Sequence, residues 1–305
     1  MSGRRDRPVI LAALLFLLAG PALAAEADGA RPQMEYIATH VWREPDADFG
    51  GFSGIEVSED GSQFHVITDR AWIRWGRIER DSAGRIRDLT TLGRAQLQDS
   101  QGRPLPPGRL GDSEGLAIAT DGTIYVSFEG LNRVARYDDP DGPATPLPIP
   151  EEWAELVTNE GFEALAITDD GDVLTLPEYA PDGRSFPIWR YRDGEWAQPF
   201  SIPGDPDWQA VGADMGPDGR LYLLERNFRW LLGFRSRVRR MELNETGPQQ
   251  IETLLTTSTL QYDNLEGIAV WSDDLGIRIT MISDDNFLPV QRTEVVEYRI
   301  IDPAP

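Results

Sequence analysis

The chain has 305 residues, room for one large or two ordinary domains, and its 40% apolar content with nine tryptophans can fill a sizeable core. Asp and Glu number 51 against 29 basic residues, and the formal charge of -22 repels nucleic acid and anionic lipid, both of which need a basic face. There is neither cysteine nor lysine, which removes thiol catalysis, thiolate zinc, iron-sulfur clusters, disulfides and Schiff-base chemistry and leaves arginine to carry the positive charge.

The N-terminus reads as an export address. Arg4, Arg5 and Arg7 precede an apolar run from Val9 to Ala19, and Ala22-Leu23-Ala24 offers the small-x-small pattern a signal peptidase needs. The run is shorter than the roughly 20 apolar residues of a membrane span. Residues 1–24 are therefore expected to be a signal peptide. Asp6 and Pro8 after the arginine pair favour the general secretory route over the twin-arginine one. Residues 25–305 are expected to form a single soluble domain, periplasmic or secreted, with no stable membrane span after cleavage and no partner subunit.

Beyond the leader a strand is expected from Tyr36 to Trp42, and then one pattern recurs five times. The copies read GFSGIEVSEDGSQFHVITDR from Gly51, GDSEGLAIATDGTIYVSFEG from Gly111, NEGFEALAITDDGDVLTLPE from Asn159, QAVGADMGPDGRLYLLERN from Gln209 and DNLEGIAVWSDDLGIRITMISDDN from Asp263. Each is two short strands around a turn. Four turns carry Asp-Gly, at Asp60, Asp121, Asp170 and Asp218, where glycine accepts the positive φ of a tight hairpin. The fifth substitutes the longer Asp273-Asp274-Leu275-Gly276.

First strands are small and aliphatic, as in Gly115-Leu116-Ala117, and suit a crowded centre; second strands are bulkier. Further β-like runs follow at Trp72 to Arg80, Arg133 to Tyr137, Ile188 to Arg192, Val238 to Leu243 and Val295 to Ile300. Three or four strands per copy make a β-propeller blade, and the chain is expected to be all-β with five of them. A sixth would have to combine the N-terminal segment with the insert from Asp81 to Leu110, where Pro104, Pro106 and Pro107 favour loop. Helical periodicity shows weakly, near Glu151 to Leu156. The Tyr36 to Trp42 strand is expected to pair with the C-terminal strand and close the ring.

A hairpin brings the start of its first strand beside the end of its second, opposite the Asp-Gly tip. Glu114, Glu163 and Glu266 start first strands, while Asp69, Glu129, Glu178, Glu225 and Asp284 end second strands, so all are expected at one channel mouth. Like charges gathered there raise one another's pKa or recruit a cation. Calcium fits best, since it takes six to eight oxygen ligands, and two histidines without cysteine argue against zinc. Asn132, Asn159, Asn227, Asn264 and Asn286 could complete a shell. The competing reading is ordinary salt bridging, because Arg70, Arg133 and Arg226 closely follow the acids.

Ser53 and Ser113 lie outside any Gly-x-Ser-x-Gly elbow, and His40 and His65 fall inside strands, so a serine triad is not expected. The motifs GFSGIE with ITDR, GDSEGLAIA with VSFEG, NEGFEALAIT with LPE, LLERNF, and DNLEGIAV with SDDN resemble the phytase-like domain family, described as having esterase-like activity of phytase. The resemblance spans nearly the whole mature chain. It implies a secreted propeller with calcium-assisted hydrolysis of phosphate or other esters. Glu114 and Glu163 are then the catalytic candidates; Asp69, Glu129, Glu178, Glu225, Glu266 and Asp284 the metal ligands; Arg70, Arg133, Arg226 and Asn286 the contacts to a small anionic or ester substrate. Propeller phytases often use lysine around phosphate, which this chain lacks. The alternative function is a non-enzymatic propeller that binds a ligand or protein and keeps a structural calcium ion.

Overall fold

The structure, a computed structural model, describes residues 32–155, 161–229 and 233–302; the expected signal peptide and Asn159 lie outside them. The fold is all-β, with 20 strands in five four-stranded sheets among the described residues.

Strand β1 (Gln33–Val41) comes first and belongs to the last sheet. Blade one is β2 (Phe52–Val57), β3 (Gln63–Thr68), β4 (Trp72–Arg80) and β5 (Ile86–Gln96). Blade two is β6 (Ser113–Ile118), β7 (Ile124–Phe128), β8 (Arg133–Tyr137) and β9 (Thr145–Pro146), followed by a 3-10 turn over Glu151–Glu155, where helical periodicity showed. Blade three is β10 (Phe162–Ile167), β11 (Val173–Pro177), β12 (Ser185–Arg192) and β13 (Glu195–Pro203). Blade four is β14 (Gln209–Met215), β15 (Leu221–Phe228), β16 (Phe234–Asn244) and β17 (Gly247–Thr256). Blade five joins β18 (Asn264–Asp273), β19 (Gly276–Asp284) and β20 (Glu294–Ile301) to β1, in the order β1-β20-β19-β18. No sixth sheet exists among the described residues: the insert after Asp81 supplies β5, the outer strand of blade one, and its prolines fall beyond that strand.

The first strand of each blade is innermost, and β2, β6, β10, β14 and β18 pack each against the next around the channel. Five strands around a narrow channel leave little room for side chains. A Cβ on Gly115 would stand 2.6 Å from the Glu163 carbonyl oxygen and 2.6 Å from Leu165 Cβ of the next blade. One on Gly267 would stand 2.8 Å from the Ile55 nitrogen across the ring closure. Gly115→Ala is therefore expected to cost about 1–3 kcal/mol by overpacking, read as a lower denaturant midpoint at unchanged slope.

Serines stitch blades one and two. Ser53 Oγ donates to the Ser113 carbonyl and Ser113 Oγ to the Thr68 carbonyl, each at 2.6 Å, so both hydroxyls serve structure. His65 and His40 lie in β3 and β1, and burial lowers both below their usual value. Closure of the ring combines the antiparallel β1–β20 ladder with a buried ion-pair group. There Glu297, fully buried, accepts Arg80 of blade one at 2.8 and 2.9 Å and Arg278 of blade five at 2.6 Å.

Candidate functional site

In every blade the ladder between the first two strands slips by a residue, between Phe52 and Gly54, Ser113 and Leu116, Phe162 and Ala164, Ala210 and Gly212, and Leu265 and Gly267. Such a bulge takes its extra residue out of the ladder and re-aims the side chain. The residues so displaced include Ser53, Glu114, Glu163, Val211 and Glu266. Three bulges thus present a glutamate at the mouth, which the repeat alone showed only as acids at strand starts.

The sequence copies align through these bulges and reveal a second level that the mouth argument missed. Three positions further on stand Glu56, Ala117, Ala166, Asp214 and Ala269. An acid occupies this deeper level only in the two blades whose bulge residue is not acidic. Asp214 accepts the Val270 amide, and burial raises its pKa to about 7. Burial and the Asp214 charge push Glu56 well above its usual range.

The mouth opens into a cavity of about 610 Å³ that gathers Glu129, Glu163, Glu178, Arg226, Glu266 and Asn286 of the expected site. Two overlapping trios place one carboxylate oxygen from each member within 4.8 Å of the others: Asp112, Glu114 and Glu129, and Glu129, Glu163 and Glu178. Burial is the first cause of the raised pKa in each of Glu114, Glu163 and Glu178. Neighbouring carboxylates add to it, and Glu178 is pushed to about 7 because Arg226 partly offsets the burial. Asp69 and Asp284 stand outside the cavity lining but feel the Glu266 charge, and burial lifts them to about 7 and about 8.

Arg226 sits among these acids. Its Nη1 donates to Asn264 Oδ1 at 3.1 Å and to Glu266, its Nη2 to Glu178 at 2.7 Å and its Nε to Gln209 at 3.3 Å. Burial would lower this guanidinium, but Glu266, Glu163 and Glu178 more than compensate and raise it. It is an internal counter-ion, already engaged by side chains from blades three, four and five.

Three expected site residues are placed elsewhere. Glu225 is fully buried on the opposite face of β15 from Arg226 and takes both Arg237, at 2.6 and 2.9 Å, and Arg239, at 2.8 Å twice. Strand alternation, which turns adjacent side chains to opposite faces, removes it from the mouth and from the metal set. Arg133 lies 3.8 Å from the Phe128 ring centroid and donates to the Leu110 and Leu131 carbonyls. Arg70 lies 3.3 Å from the Phe287 ring centroid. Neither lines the cavity. Both stack on aromatic faces, a use of arginine that charge order along the chain does not reveal.

The donor set suits a hard cation. Every group in the trios is an oxygen, and two buried acceptor atoms lack a hydrogen-bond donor, Asp69 Oδ1 and Asn132 Oδ1. Asn132 packs against Gly161 beside Glu129, whose Oε1 accepts the Gly161 amide at 3.1 Å. Acidic clusters at this mouth could therefore hold a metal ion.

A pH dependence follows. Near pH 6.5 the two unfolded imidazoles still hold part of their protons while burial has lowered the folded ones, an opposing contribution that fades as pH rises. From there to about 8 the more numerous raised carboxyls titrate in the native state, Asp69, Glu178 and Asp214 at about 7 and Asp284 at about 8. The native state then binds protons that the unfolded chain has released, so stability falls as pH rises. In chelator, the melting temperature is expected to drop from pH 6.5 to pH 8; a flat or rising profile would mean that the mouth acids are ionised.

The fold is shared with solved structures at low sequence identity. An exo-β-1,3-galactanase from Clostridium thermocellum superposes with a TM-score of 0.57 at 12% identity, over 89% of this chain and 63% of that one. An α-L-arabinofuranosidase from Podospora anserina, in complex with cellotriose, gives 0.54 at 13% identity, over 90% and 98%. No curated protein matches the sequence. The five bulged copies that build the mouth, together with most of the chain around them, fall within residues 47–287, which match the family described as "Phytase-like: Esterase-like activity of phytase"; the chain belongs to that family.

Proposed function

We propose that the protein is an exported ester hydrolase, acting in the periplasm or outside the cell, whose mouth carboxylates hold calcium. The observation that carries this is the Glu129, Glu163 and Glu178 trio, three carboxylates with oxygens within 4.8 Å and only one arginine among them. Family membership supports hydrolysis of an ester bond. The ion would rest on these three with Asn132 Oδ1, and when bound it polarises an ester oxygen and makes a coordinated water acidic. Burial, and then the acids around it, raise the pKa of Glu114, which suits it to deliver a proton to the departing alkoxide. Arg226 holds Glu178 and Glu266 in place.

Phosphomonoesters, carboxylic esters and lactones, assayed with calcium and with EDTA, test the reading. Turnover that requires calcium is expected. Glu114→Gln is expected to lower kcat by about 10²–10⁴ with calcium affinity unchanged by calorimetry. Arg226 also supports a second reading, since it already compensates Glu178 and Glu266 without any ion. Calcium-raised thermal stability with no turnover of any ester would favour a ligand-binding propeller instead.

A further inference from the structure

The cavity wall beside the acids is aromatic. Tyr179, Phe228 and Phe234 line it together with Asp207, and Phe228 is 52% exposed with its ring centroid 4.8 Å from that of Phe234. An exposed phenyl face at the edge of a polar cavity is a seat for part of a ligand, and the charge around it decides which part. Five carboxylates line this cavity against one guanidinium, and four protein side chains already engage that guanidinium. A polyanion finds no free positive partner among the described lining. One divalent ion on the glutamate trio still leaves carboxylates in excess, and protonation of the buried members adds no positive charge. Arg226 shows what the cavity accepts, because its own planar cation is solvated there by acids and amides.

We propose that the cavity takes an ester bearing an organic ammonium group, with the cation over the Phe228 face near Asp207 and the ester directed to the glutamate trio. Aromatic faces attract alkylammonium ions through the ring quadrupole, and nearby carboxylates add Coulomb attraction. The inference rests on the hydrolase reading for the ester half alone; the cation seat is tested without turnover.

Calorimetric titration of the mature protein with choline and with its uncharged carbon isostere, 3,3-dimethylbutan-1-ol, separates charge from shape. Choline is expected to bind at least about tenfold more tightly than the isostere, and Phe228→Ala to weaken choline roughly two- to thirtyfold. Phe228 is exposed at a strand end, so its truncation spares the core; Leu275→Ala, at the hairpin tip of blade five, is the control with unchanged affinity. Equal affinity for the two compounds, no binding of choline at millimolar concentration, or unchanged choline binding in Phe228→Ala overturns the proposal. Choline bound as expected, with no ester hydrolysed, leaves the cation seat standing and removes the hydrolase reading.

Discussion

Glu163→Gln is expected to abolish calcium-dependent turnover and weaken calcium at least about a hundredfold, while the metal-free protein becomes more stable at pH 8. The two effects have one origin. Glu163 is displaced into the mouth by the blade-three bulge, is 9% exposed, and has its pKa raised first by burial and then by Glu178. Ionised without a cation it is an unfavourable buried charge, and an uncharged amide of the same shape relieves that cost, by an amount on the order of 2 kcal/mol. With calcium present the same charge is expected to favour the ion. Melting curves in EDTA and in calcium, beside calorimetry, check both halves. The reference variant is Asp121→Asn, whose Oδ1 accepts the Thr123 amide at a hairpin tip on the opposite face and whose replacement keeps an Asn-Gly turn. Equal calcium affinity in the two variants would end the metal-site reading.

Arg226→Met is expected to be the most damaging single change at the mouth, costing about 3–5 kcal/mol. Its loss leaves Glu178 and Glu266 buried without their common partner, in a cavity that already holds three further carboxylates. Glu178 should then titrate above its value of about 7. The double variant Glu178→Gln with Arg226→Met should recover part of the loss, because the residues are in contact and their effects are not additive. A cost below about 1 kcal/mol, the scale of an exposed pair, would mean that the side chain swings free, and would return Arg226 to the role of substrate contact.

The blades were legible because each rests on a local signal that recurs through five copies: a turn at the tip, Asp-Gly in four of them, with small residues before it and bulky ones after. The C-terminal partner of the Tyr36 to Trp42 strand was legible from the unpaired edges that an open ring would leave. The mouth was partly legible, since hairpin geometry fixes which strand ends meet. Glu225 shows where that reasoning stops: position along a strand says which end a residue occupies, and only the register says which face it uses. Glu56 and Asp214 were hidden for a related reason. The bulge shifts side-chain alternation by one residue, and only copies aligned through it place these acids level with Ala117, Ala166 and Ala269. Tyr179, Phe228 and Phe234 carried no signal, because aromatic residues at strand ends read equally well as core.

The pairing of β1 with β20 sets the timing of folding. Gln33 finds its partner in Ile301, so β1 waits unpaired until β20 has been made, and the ring stays open until then. Contacts so distant in sequence slow folding and prolong the life of exposed strand edges.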